Sequence, residues 1–137
     1  MSILKVDTIN EKTSGNGVHI AGHVVQVVSD AHTSSSRLFT TTSTTFTGTG
    51  LNVSITPKFS TSKIMIVISS SANNNDATNG DQVYYSLYRD STNLGHSSYG
   101  FGSIRATPST AVRGSLHISY MDSPATTSAV SYELYAK

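Results

Sequence analysis

The chain has 137 residues and a formal net charge of +1, and its charged share of 12% is about half the roughly 25% of ordinary soluble domains. That length fits one domain with an appendage, and its scattered Lys and Arg form no basic face to neutralise nucleic-acid phosphates. The absence of Cys excludes a disulfide framework, a thiol nucleophile and a Cys-held zinc.

Polarity comes instead from hydroxyls, with 24 Ser and 18 Thr. Thr is β-branched and favours extended backbone, while Ser favours turns. Apolar residues recur in patterned runs, which disordered chains lack, so a folded β protein is expected. Helix signals are almost absent.

In chain order, Leu4 to Ile9 and Val18 to Ile20 predict two short strands around a Gly15-Asn16-Gly17 turn. Such a pair cannot bury enough apolar surface to stand alone in water. Lys5 and Asp7 interrupt the unbroken apolar segment that a signal peptide needs, and no run approaches the roughly 18 apolar residues of a membrane span. Val24 to Ser29 (VVQVVS) predicts a strand buried on both faces or laid along a partner chain. Arg37 to Thr47 is Thr-rich and extended, anchored by Phe39 and Phe46.

Leu51, Val53 and Ile55 alternate with polar residues and stop at Pro57. Lys63 to Ser69 (KIMIVIS) is the strongest core strand, and the polar stretch from Ser70 to Asp81 predicts a solvated loop. Gln82 to Arg89 places Val83, Tyr85 and Leu87 on one face and Tyr84, Ser86 and Tyr88 on the other. A turn at Asp90 to Gly95 leads to a weaker strand at His96 to Gly102. Ala111 to Met121 and Ala129 to Ala136 complete the set, separated by a turn at Asp122 to Ala125. Eight or nine short strands of this kind predict an all-β fold, a β-sandwich of jelly-roll type.

Catalytic signals are weak. A glycosidase needs two carboxyls flanking a cleft, and no such pair stands out; Glu133 reads as a solvated strand residue. No G-x-S-x-G elbow is present. The five His read as exposed or interfacial imidazoles, because the four-residue spacing of His19 and His23 does not converge on a strand. Asn74, Asn75, Asp76, Asn79 and Asp81 lack EF-hand spacing and its closing Glu. No catalytic residue, metal or cofactor is expected. Tyr84, Tyr88, Tyr99 and Phe101 are more suggestive, since rings among Asn, Ser and Gly recur on adaptable binding surfaces.

"ILKVDTINEKTSGNGVHIAG" at the start of the chain resembles the opening of phage tail-fibre and fibre-like virion proteins, especially of marine and cyanobacterial phages. "VVQVV", "TSTTFTGTGLNVSITPKFSTSKIMIVIS", "LYRDSTNLG" and "YMDSPATTSAVSYEL" resemble the β-rich domain that follows it in that family. The resemblance covers most of the chain and is loose in the Asn-rich loop and from His96 to Gly114. It implies a homotrimer with an N-terminal arm (residues 1–23) and a sandwich head (24–137), made in the host cytoplasm and carried on the virion, with no enzymatic role and no membrane insertion. It also implies one or two further strands beyond "SYELYAK", so the head here would be shortened or would borrow an edge from a neighbour.

On that resemblance, Leu4, Val6, Ile9, Val18, Ile20, Val25 and Val27 would anchor the arm to other virion proteins and hold the trimer together. Loops 71–81 and 90–101 would face outward, with Asn75, Asp76, Asn79, Tyr88, Tyr99 and Phe101 meeting a host receptor, a glycan. The competing expectations are a capsid-surface fibre or decoration protein with no dedicated receptor, and a secreted carbohydrate-binding module.

Overall fold

The computed structural model describes residues 8–10, 22–31, 39–74, 82–106 and 111–137. Among them the chain forms seven strands and no helix: β1 (Thr47–Ile55), β2 (Ile64–Asn74), β3 (Gln82–Arg89), β4 (Thr92–Asn93), β5 (Gly102–Arg105), β6 (Val112–Asp122) and β7 (Val130–Ala136). All pairings are antiparallel. One sheet has the order β1-β7-β3-β4, with β5 also paired to β3, and the second is a β2–β6 ribbon.

The two sheets share one core because their alternating residues point at each other. The ribbon contributes Ile66, Leu116 and Ile118, and the larger sheet contributes Leu87, Val130, Tyr132 and Leu134. Leu87, at the centre of β3, is fully buried. Each such aliphatic side chain stabilises the fold by about 1.5–3 kcal/mol relative to exposure. The expected facing of Val83, Tyr85 and Leu87 against Tyr84, Ser86 and Tyr88 corresponds to this arrangement, with Leu87 and Tyr85 packed on the core.

Four expectations are corrected. The ribbon strand β2 runs on through Ser70 to Asn74, which reads as loop in the sequence, because each of these residues lies opposite one in β6, from Ser70↔Leu116 to Asn74↔Val112. Asn74 is consequently buried, and its Nδ2 donates to the Ile104 carbonyl at 3.3 Å. His96 to Gly102 is a closed turn, not a strand: His96 and Gly100 exchange backbone hydrogen bonds of 3.1 and 2.8 Å, and β5 begins only afterwards.

Phe39 to Phe46 is likewise not a strand. Its hydroxyls satisfy its own backbone, Ser43 N–H donating to Thr41 Oγ1 at 2.9 Å and Thr45 N–H to Ser43 Oγ at 3.0 Å, an alternative to the ladder that Ser and Thr supply. Val24 to Ser29 has no ladder partner among the described residues. Leu4, Val6, Val18 and Ile20 lie outside the described residues, as do Asn75, Asp76 and Asn79.

One polar contact ties the sheets together. At the end of β6, Asp122 accepts from Arg89 Nη1 of β3 on both oxygens, at 3.0 and 2.8 Å, and from the Tyr132 hydroxyl of β7 at 2.6 Å. Burial, and next the hydrogen bond to Asp122, push the Tyr132 phenol well above its ordinary 10.0. The hydrogen bond with Asp122 also raises Arg89. The fold therefore favours protonated forms at both groups.

Stability from these groups is complete below about pH 10 and is lost as pH rises through the elevated values. In urea denaturation across the alkaline range, the midpoint is expected to fall above about pH 10, and Tyr132→Phe is expected to flatten much of that fall. An equally steep fall in Tyr132→Phe would place the alkaline sensitivity elsewhere.

Candidate functional site

The outer face of the larger sheet carries the rings that alternation turns away from the core. Along β3, Tyr84 and Tyr88 point outward, about 13 Å apart at the usual rise of an antiparallel strand. On β7, Glu133 and Tyr135 share that face, since Tyr132 and Leu134 are buried. The register sets Tyr88 opposite Glu133 and Ser86 opposite Tyr135. Tyr88 and Tyr135 thus meet on a diagonal and stack, ring centroids 3.8 Å apart and planes at 17°. Burial, followed by the neighbouring Tyr135, raises the Tyr88 phenol above its ordinary value, so its hydroxyl stays protonated at neutral pH.

Two elements extend this pair. Phe46, just before β1, lies 6.2 Å from Tyr88. Lys137 continues the β7 pairing by exchanging backbone bonds with Tyr84 at 2.9 and 3.1 Å. That places its ammonium 4.8 Å from the Phe46 ring and 5.5 Å from Tyr84, a cation held over π faces. Beyond Tyr84, the 96–100 turn delivers Tyr99 at 5.8 Å, and His96 stacks on Tyr99 at 4.9 Å. A continuous path of ring contacts therefore runs Tyr135, Tyr88, Phe46, Lys137, Tyr84, Tyr99, His96.

The turn that carries Tyr99 is tightly fixed. Ser86 is fully buried beneath it, and its Oγ pairs with Asn93 Oδ1 at 2.5 Å. The same Asn93 oxygen accepts from Gly95 N–H at 2.9 Å. His96 Nδ1 accepts from the backbone N–H groups of Ser98 and Tyr99 at 3.1 and 3.2 Å, so in this arrangement that nitrogen carries no proton. Phe101 N–H then donates to the Tyr85 carbonyl at 2.8 Å and locks the end of the turn onto β3.

Of the residues singled out from the sequence, Tyr88 and Tyr99 belong to this surface. Phe101 does not: it meets Tyr120 edge-on at 5.3 Å and 76°, and Tyr120 packs against the core. Backbone reversal at Gly100 turns successive side chains to different sides, which residue type alone does not reveal. Phe46, Tyr135, Lys137 and His96 were missed as site residues. Strand parity was signal enough for Tyr135, whereas Phe46 and Lys137 arrive through pairing between distant segments.

Ile9 is 55% exposed in a stretch without regular structure. Val25 is half-buried, while Val27 is 80% exposed.

The carboxylates here hold backbone. Glu133 Oε1 accepts from Gly50 N–H at 2.9 Å, where β1 bulges between Gly48 and Asn52 and Thr49 Oγ1 donates to the Leu134 carbonyl at 2.8 Å. Asp90 Oδ1 accepts from Ser131 N–H at 3.0 Å. Glu133 is therefore half-buried and structural, not merely a solvated strand residue. No cluster of three His, Cys, Asp or Glu side chains able to hold a metal occurs among the described residues.

Chemically, this is a surface for stacking and hydrogen bonding. Ring faces present area to the apolar C–H face of a sugar ring, and Tyr hydroxyls with Gln82 and Ser103 along its edge offer polar partners. Comparison with protein-family models, curated proteins and solved structures finds no match to the chain.

Proposed function

We propose that this chain is a non-enzymatic fibre or spike component of a phage virion, a homotrimer with a jelly-roll-like head that adheres to glycan on the host surface. The single observation that carries the adhesive role is the ring path from Tyr135 to His96 on one sheet face. Seven side chains from four separate segments converge there, and none of them is needed to fill the core. Rigid rings give contact area at low entropic cost, and three heads on one fibre raise weak single-site affinity through avidity. The virion assignment is supported by the resemblance of the arm and of the β segments to phage fibre proteins, with the arm docking on other virion proteins.

A glycan array read with the intact protein tests this. A discrete set of glycans is expected to bind, with Tyr99→Ala and Tyr135→Ala each weakening binding about tenfold, the equivalent of about 1.4 kcal/mol. Phe101→Ala is expected to leave binding nearly unchanged, because its ring lies on the other path. If no glycan binds, or if the Tyr variants bind like the parent, the adhesive role is lost and a decoration protein without a receptor becomes the better reading.

A further inference from the structure

The opposite side of the sandwich has a different character. On the outer face of the ribbon, Met65 and Val67 of β2 and Met121 of β6 point to solvent, at 54%, 70% and 52% exposure, with Met65 directly opposite Met121 in the register. Next to them lies Val24 to Ser29, extended and without a ladder partner among the described residues, with Val24 and Val27 each 80% exposed. The segment and the strands β1 and β2 enclose a cavity of about 750 Å³, which Met65, Val67 and Met121 also line. The chain's own segment thus sits against the ribbon without filling the space or covering its apolar surface. Gln26 adds a buried Oε1 that has no hydrogen-bond partner.

We propose that a second copy of this chain covers this patch, Val24 and Val27 of one copy packing on Met65, Val67 and Met121 of the next. Three observations favour that occupant. Both halves of the contact, an unpaired β-branched segment and an apolar ribbon with an open edge, are present on the same chain, so the surface is complementary to itself.

The exposed side chains together offer several hundred Å² of contiguous apolar surface. That is the top of the range for a monomer's largest patch, about 300–600 Å², and most of one partner's share of a standard interface, about 800 Å². Finally, an open, apolar strand edge is an aggregation hazard unless something pairs with it or covers it. The ribbon's charged outward residue, Arg113, lies at its far end opposite Asn73, so like charges do not meet at the apolar end.

This deepens the homotrimer reading and fixes its geometry. The patch and the ring path lie on opposite faces of the sandwich, so copies that meet through the ribbon hold their rings outward, where they reach a surface together.

Light scattering on the intact protein is expected to give a multiple of the 14.5 kDa chain mass. Val67→Lys, at a solvent-facing position, is expected to reduce it to one chain with an unchanged circular dichroism spectrum. Because the chain has no Cys, mixing a Val27→Cys chain with a Val67→Cys chain under oxidation is expected to give a disulfide-linked pair of chains.

A parent protein of single-chain mass overturns the proposal, and so does a Val67→Lys variant that keeps the parent mass. A chain carrying both Cys that closes only on itself assigns the patch to its own segment, which also overturns it. Glycan binding by the Val67→Lys monomer separates this proposal from the adhesive one. Retained single-site binding with lost avidity supports both, whereas a normal mass change with no glycan bound at all sinks the adhesive reading alone.

Discussion

Asp122→Ala is expected to lower the unfolding free energy by about 3 kcal/mol, because breaking a buried ion pair leaves the surviving charge uncompensated. Asp122 belongs to the ribbon, whereas its two partners, Arg89 and Tyr132, belong to the larger sheet. The Arg89 side chain is a quarter exposed and that of Asp122 is 8% exposed, so solvent softens the loss on the Arg side, which places the estimate at the low end of about 3–5 kcal/mol. Deleting the carboxylate also strands the buried Tyr132 hydroxyl, a further desolvated donor.

Asp122→Asn tests the same contact more gently. It keeps one acceptor for Tyr132 and removes the charge, so a loss of about 1–2 kcal/mol is expected. Urea midpoints at neutral pH measure both variants. A loss below about 1 kcal/mol in Asp122→Ala would show that apolar packing alone holds the two sheets in register.

The contrast between β2 and the Thr-rich stretch before β1 shows what the sequence carries. KIMIVIS, QVYYSLYR and AVSYELYA are legible because alternation with period two encodes which side chains face a core. The core residues Ile66, Leu87, Tyr132 and Leu134 follow from that pattern alone. SSSANN carries no such signal. It is a strand because β6 lies beside it and supplies the ladder, which is a property of the pair and not of the segment.

Phe39 to Phe46 has the opposite character: Thr-rich composition favours extension, yet hydroxyl-to-backbone bonds at Thr41, Ser43 and Thr45 win locally. VVQVV reads as a strand and finds no partner within the described chain. That is the outcome expected of a segment whose partner is another molecule.

The candidate site was half legible for the same reason. Tyr88 and Tyr99 could be chosen on residue type and local polarity, but joining them requires Tyr84, Lys137 and Phe46, which come together only through the β3–β7 pairing and the approach to β1. Phe101 shows the limit of composition as a guide. It stands two residues after Tyr99 in the same Gly- and Ser-rich stretch, yet it closes the core side of the sheet against Tyr120.

Gly100→Ala is expected to cost about 3 kcal/mol and to weaken glycan binding as Tyr99→Ala does. Gly100 has φ of 60°, in the left-handed region where a side chain costs roughly 1–2 kcal/mol. A Cβ there would also collide with the Tyr85 carbonyl oxygen, the acceptor that fixes Phe101 to β3. Relief requires the turn to lift, and lifting it carries Tyr99 away from Tyr84.

Gly50→Ala supplies the control. Gly50 has φ of 79° but open space around its missing Cβ, so only the backbone term remains, roughly 1–2 kcal/mol, and glycan binding is expected to be unchanged. Both are read by urea denaturation alongside the glycan assay. Equal losses in the two variants would mean that the left-handed backbone alone sets the cost, and that contact with Tyr85 does not hold Tyr99 in place.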